Sequence, residues 1–165
     1  MKWFKSHEFD RTSVGGQDWW PHMNQILLER LDDLRSALGK PIIISPHRGA
    51  LGRSMGDSFS DHNFSRWGDV RAADIFPTID QTTDAAKEFV ELIKQCRFSA
   101  IGCYPHWKNR HGIQQVGFHV GYRPSREEGF PALWGMIRPT PRSSQHMIAI
   151  TEAYRHVGLK PGDKP

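Results

Sequence analysis

The sequence predicts an α+β fold, a small antiparallel sheet with helices packed mainly on one face. Two stretches repeat apolar residues at three- and four-residue spacing, and four short β-rich runs are separated by Gly, Pro and polar turns. The order helix, strand, long loop, strand, helix, strand, strand suits helices laid over a sheet, since neither can bury its apolar side alone. At 165 residues with 38% apolar content, the chain can build one domain with a sizeable core, and no linker or repeat divides residues 1–165.

Residues 1–20 read as irregular, with Gly15-Gly16 in a loop and Trp19-Trp20 leading into a helix as a hydrophobic lid on the core. Pro21 suits that helix's first turn, and Met23, Ile26, Leu27, Leu31, Leu34 and Leu38 form its apolar stripe up to Gly39. Pro41 to Ser45 is a short β-rich run expected as a buried strand. The polar stretch 46–61 is long for a loop in a compact domain, which points to function or disorder. Val70 to Phe76 reads as a strand closed by Pro77. A second helix is expected from Asp84 through Cys96, capped by Thr83 or Asp84, with Ala85, Phe89, Leu92 and Ile93 on its inner face. Ile101–Tyr104 and Val116–Tyr122 are expected as the last strands, joined by a basic loop over Pro105–Gly112. The Pro- and Arg-rich stretch 124–144 reads as irregular, and Gln145–Val157 is a candidate terminal helix.

A net charge of +4 and a pI near 9.3 lean weakly toward anionic partners. The basic residues are scattered with no run of five, so no nucleic acid is expected as a partner; steep salt dependence of DNA binding would argue otherwise. Cys96 and Cys103 lack a C-x-x-C spacing, which excludes a zinc ribbon and leaves two free thiols suited to a reducing compartment. The charged start Met1-Lys2-Trp3-Phe4-Lys5 has no apolar h-region, and no stretch approaches membrane-spanning length. Synthesis in the cytoplasm without a signal peptide or membrane insertion is therefore expected. H-E-x-x-H and G-x-x-x-x-G-K are missing, and Gly52-Arg53-Ser54-Met55-Gly56 resembles a phosphate loop only superficially. Nothing in their context selects a glycosidase pair from Glu8, Asp18, Glu127 and Glu128.

One constellation carries chemistry. His62 stands in Ser60-Asp61-His62-Asn63, Asp74 in the strand-like Ala72-Ala73-Asp74-Ile75, and His119 in Gly117-Phe118-His119-Val120. Two imidazoles and one carboxylate are a usual protein complement for catalytic zinc, with the fourth position left to water. Such a zinc lowers the pKa of water toward neutrality and polarises a carbonyl, so the pattern reads as a zinc hydrolase. His7, His22, His146 and His156 are assigned no ligand role.

These motifs resemble the zinc D-alanyl-D-alanine carboxypeptidase group, which includes phage L-alanyl-D-glutamate endolysins and shares its fold with the hedgehog amino-terminal domain. The S-x-H motif stands as Ser60-Asp61-His62 and the A-x-D-I motif as Ala72-Ala73-Asp74-Ile75. The approach strand and arginine stand as Ile42-Ile43-Ile44-Ser45-Pro46-His47-Arg48, and the last strands as Ile101–Pro105 and Gly117–Val120. The resemblance spans roughly residues 20–123 and leaves the tail 124–165 aside. In the common pattern the aspartate follows the histidine by seven residues, whereas Asp74 follows His62 by twelve. Asp69 stands at the usual count and is the rival ligand, but Asp74 has the strand setting. The resemblance implies that His62, Asp74 and His119 bind Zn2+ and that Arg48 holds the substrate carboxylate or stabilises the oxyanion. His111, His106 or Asp69 would serve as base or acid, because Val116 and Gly121 occupy the positions around His119 where an acidic residue is expected. It further implies a phage or prophage peptidase that cleaves peptidoglycan stem peptides and reaches the wall through lysis machinery or a virion. The alternative is a catalytically incomplete wall-binding or structural module of the same fold.

Overall fold

The computed structural model describes residues 1–54, 58–126 and 130–165. Glu127, Glu128, Met55 and Gly56, named above, lie outside the described residues. The N-terminal segment forms short 3-10 turns and is tied to the body by Arg11, which donates to the Ser45 carbonyl at 2.8 Å. Pro21 falls in a separate 3-10 turn, Trp20–His22, ahead of the first helix.

Helix α1 (Gln25–Leu38) is capped by the Asn24 side chain, which accepts from the Leu27 amide at 3.1 Å. Gly39 ends it in the left-handed region at φ 65°, where a side chain would be strained. Leu27, Leu31 and Leu34 are buried as the periodicity predicts, but Ile26 is 37% exposed and Leu28 takes the inner position. The spacing explains the exchange, since Leu28 lies one turn before Leu31 whereas Ile26 lies well around the helix.

Strand β1 (Ile42–Ile44) alternates, with Ile42 and Ile44 inward and Ile43 exposed, because it is an edge strand. The long loop and a short helix, α2 (Phe64–Trp67), lead to β2 (Ala72–Pro77). Helix α3 (Thr83–Gln95) starts one residue earlier than predicted, because the Thr82 hydroxyl caps the Ala85 amide at 3.2 Å. Ala86 and Val90, rather than Ala85 and Leu92, complete its buried face with Phe89 and Ile93.

Half of the predicted basic loop, residues 105–108, is instead strand. β3 (Ala100–Lys108) and β4 (Gln114–Gly121) form a hairpin with a tight turn, and Pro105 is accommodated where the register slips by one residue between Tyr104 and Trp107. That bulge also resets the alternation, so Tyr104 and Trp107 lie on one face and stack at 3.9 Å.

The stretch expected to be irregular contains a strand, and a short helix forms within the candidate terminal helix. β5 (Ala132–Ile137) pairs parallel to β3, β6 (His146–Ile148) pairs antiparallel to β5, and α4 (Ile150–Arg155) follows. The sheet therefore has six strands in the order β1-β2-β4-β3-β5-β6, and is mostly rather than wholly antiparallel.

The two faces differ. Ile75, Ile101, Cys103, Val116, Phe118 and Val120 face the helices and are buried with α1 and α3, for instance Phe89 on Phe118 at 4.9 Å. Trp19 is buried in this core and Trp20 packs against it. Both cysteines are free and buried, and burial pushes the thiol of Cys96 up to about 11 and that of Cys103 up to about 12. The opposite face carries Asp74, Gly102, Tyr104, Gly117 and His119 at alternate positions of adjacent strands.

Candidate metal centre

Strand pairing supplies two of the three converging side chains. Asp74 on β2 is the direct cross-strand partner of His119 on β4, so both project from the same face. The backbone around Asp74 is fixed from the loop side: its amide donates to Ala50 O and its carbonyl accepts from Ser45 N, both at 2.8 Å.

The loop supplies the third. Its chain doubles back so that Arg53 pairs with Asn63, the Arg53 amide donating to His62 O at 2.9 Å. Trp67 Nε1 donates to Ser60 O at 2.8 Å, and Asn63 Nδ2 donates to Ser58 O at 2.7 Å. The residues that lengthen the His62–Asp74 spacing form α2, whose Phe64 packs on His22 at 4.8 Å and Trp19 at 5.9 Å. The spacing anomaly is thus one helical turn closed by Gly68, and it carries the chain back to β2.

His62 Nε2, His119 Nδ1 and Asp74 Oδ1 meet at one point. The separations are 3.1 Å between the imidazole nitrogens, 3.2 Å from His119 to Asp74 and 3.3 Å from His62 to Asp74. His62 Nδ1 donates to the Leu51 carbonyl, so a neutral His62 turns a lone pair, not a proton, toward the other two. Three acceptor atoms on one spot is what a cation requires, and the His62–Asp74–His119 group can hold a metal ion.

The electrostatics agree with that geometry. Burial opposes ionisation of Asp74, but the His62 and His119 imidazoles beside it outweigh that and hold the carboxyl well below the usual range. Burial likewise opposes protonation of His119, and the Asp61 and Asp74 carboxylates reverse the balance and raise it.

Asp61 was not singled out by the sequence, although it adjoins His62. Its buried carboxylate lies 3.7 Å from His119 Nε2, which makes no hydrogen bond, and is clamped by Arg123 Nε at 2.8 and 2.9 Å. A carboxylate behind a ligating histidine orients the ring and raises its basicity.

The centre opens on a cleft of about 460 Å³ whose lining includes Arg53, Arg123, Tyr104, Trp107, Trp134 and Met136. Glycines make room for the rings. A Cβ on Gly117 would stand 2.2 Å from the Trp107 ring, and one on Gly102 would stand 2.7 Å from both Trp134 and Tyr104. Trp134 lies 5.0 Å from the His119 ring and donates to the Tyr104 hydroxyl at 3.1 Å. Burial first, then the Asp74 charge, raise the Tyr104 phenol, so it stays protonated with its own proton free for a group in the cleft.

The structure does not bring Arg48 or His111 to this centre. Arg48 is exposed on a separate depression beside Gly15 and Gly16, and His111 is exposed in the hairpin turn, accepting from Arg110 at 3.0 Å. Asp69 pairs with Arg71 at 2.5 Å and accepts from Asn24 at 2.6 Å, away from both histidines. His106 lines a different cavity. The arginines that do line the cleft are Arg53 and Arg123. Comparison with protein-family models, curated proteins and solved structures finds no match to this chain.

Proposed function

We propose that the chain is a zinc-dependent peptidase acting on peptidoglycan stem peptides. The observation that carries this is the convergence of His62 Nε2, His119 Nδ1 and Asp74 Oδ1 beside an open cleft. Tetrahedral zinc with bonds of ~2.0–2.1 Å places its donors about 3.3 Å apart, close to the 3.1–3.3 Å separations here. Two imidazoles also disfavour magnesium and calcium, which take oxygen ligands. Zinc bound there would supply a Lewis acid and an acidified water.

The protein groups around it suit a small peptide. Arg53 lines the cleft, and its guanidinium can hold a substrate carboxylate. The Tyr104 hydroxyl can donate to a carbonyl oxygen that gains charge. Trp107, Trp134 and Met136 offer flat apolar walls to side chains and exclude water. The substrate class rests on the resemblance of the three motifs to the carboxypeptidase and endolysin group, and so does the phage or prophage origin.

One observation favours the second reading, a metal-binding module without turnover. Among the described residues the cleft's only carboxylates are Asp74, at the metal position, and Asp61, clamped by Arg123, so neither is free to act as general base. The test is release of new amino groups from purified peptidoglycan by zinc-loaded protein, by chelator-treated protein and by Tyr104→Phe. Zinc-dependent release, reduced in Tyr104→Phe, is expected. Zinc bound at full stoichiometry without any release would leave the binding module.

A further inference from the structure

A cavity of about 1010 Å³ adjoins the cleft and includes none of the three side chains of the metal centre. Lys108, Arg138 and Lys160 line it together with His47 and His106, and Asp163 is the one carboxylate among its described lining residues. None of the three cationic side chains makes an ion pair with a described residue, although surface cations readily find carboxylates in this chain, as Lys87 and Lys94 do. Asp163 is engaged at the C-terminal turn, where its carboxylate accepts from the Lys160 amide at 3.0 Å.

The buried wall adds a directed donor. His106 is 5% exposed, and its Nδ1 accepts from the Arg138 amide at 3.0 Å. That bond places the proton of the neutral ring on Nε2, which is buried without a partner. Burial, with His156 and Arg138 nearby, keeps the ring neutral. A buried N–H without an acceptor is costly, so it marks a place where an acceptor belongs. The Gln81 and Gln114 side chains on the same lining are already committed, to the Val116 amide and to the Leu159 carbonyl.

We propose that this cavity is a binding site for a multivalent oxyanion, phosphoryl or polycarboxylate, held by Lys108, Arg138 and Lys160 with the imidazole N–H of His106. Several cations on one concave wall concentrate positive potential there, and oxyanions accept charge-assisted bonds from all of these donors. Trp107 and Gln145 line both this cavity and the metal cleft, so one extended molecule can reach both. The site stands whether or not the metal centre hydrolyses anything.

Calorimetric titration of the metal-free 165-residue chain at ~150 mM salt, where distant surface charges are screened, tests it. Inorganic pyrophosphate and tricarballylate serve as the two probes. One saturable site per chain is expected, weakened roughly tenfold or more in Arg138→Gln/Lys160→Gln and unchanged in His119→Ala. Both substituted cations are exposed, so the double variant keeps its fold. Binding of pyrophosphate alone identifies a phosphoryl ligand, and binding of tricarballylate alone identifies a carboxylate one. No saturable binding of either anion overturns the proposal. So does binding that survives the double substitution or that disappears in His119→Ala.

Discussion

Asp61→Asn separates a carboxylate that tunes the metal centre from one that merely anchors Arg123. Asp61 is 4% exposed, and its Oδ2 lies 3.7 Å from the outer nitrogen of His119, which makes no hydrogen bond. Removing such a supporting carboxylate lowers metal affinity by about 10–100-fold. That corresponds to about 1.4–2.8 kcal/mol of metal-dependent stabilisation. At about 2–4 °C per kcal/mol for a domain of this size, the zinc-induced rise in Tm should shrink by about 3–11 °C. Thermal melts of parent and Asp61→Asn, each with and without zinc, measure this. The metal-free pair reports the anchoring of Arg123 on its own. An equal zinc-induced rise in both proteins would show that Asp61 has no influence on the ligands and refute the reasoning.

Three further outcomes are expected. In a competition titration against a chromophoric chelator, Asp74→Ala should weaken zinc far more than Asp69→Ala; the reverse order would move the ligand to α2's far end. Gly117→Ala should push Trp107 off Tyr104, because the added Cβ would stand 2.2 Å from the indole, at a cost of about 1–3 kcal/mol. A near-UV circular dichroism spectrum and Tm identical to the parent's would contradict that. Asp32 accepts backbone amides from Lys2, Trp3 and Phe4, which outweigh its burial and lower its pKa. Its contribution is therefore present above the unfolded value of ~3.9 and fades as pH falls through the lower folded one. Asp32→Asn should cost about 1 kcal/mol at neutral pH and progressively less as pH falls below ~3.9; a difference that does not shrink in acid would assign the loss to something else.

How much was legible in the chain depended on whether a local pattern or a distant contact decided the outcome. His62, Asp74 and His119 could be chosen together because their residue types, their order and the strand setting of the last two are local properties. Arg48 could not be placed, because the direction of a side chain in a long loop is set by contacts such as Arg53 with Asn63 that no spacing announces. Asp61 was hidden in plain view beside His62, since its role appears only when β4 brings His119 alongside. Pro105 made a strand look like a loop, and only the bulge at Tyr104–Trp107 reconciles the two. β5 escaped notice because Trp134-Gly135 interrupts its apolar run and its parallel partner β3 lies far back in sequence. α2 is four residues long, too short to show a helical period.

Zinc per chain, by elemental analysis of tag-free protein loaded with zinc and dialysed, tests the metal centre most directly when run beside His119→Ala. About one zinc in the parent and almost none in the variant is the predicted result. No zinc in the parent, or the same amount in both, would contradict the assignment of His62, Asp74 and His119 as ligands.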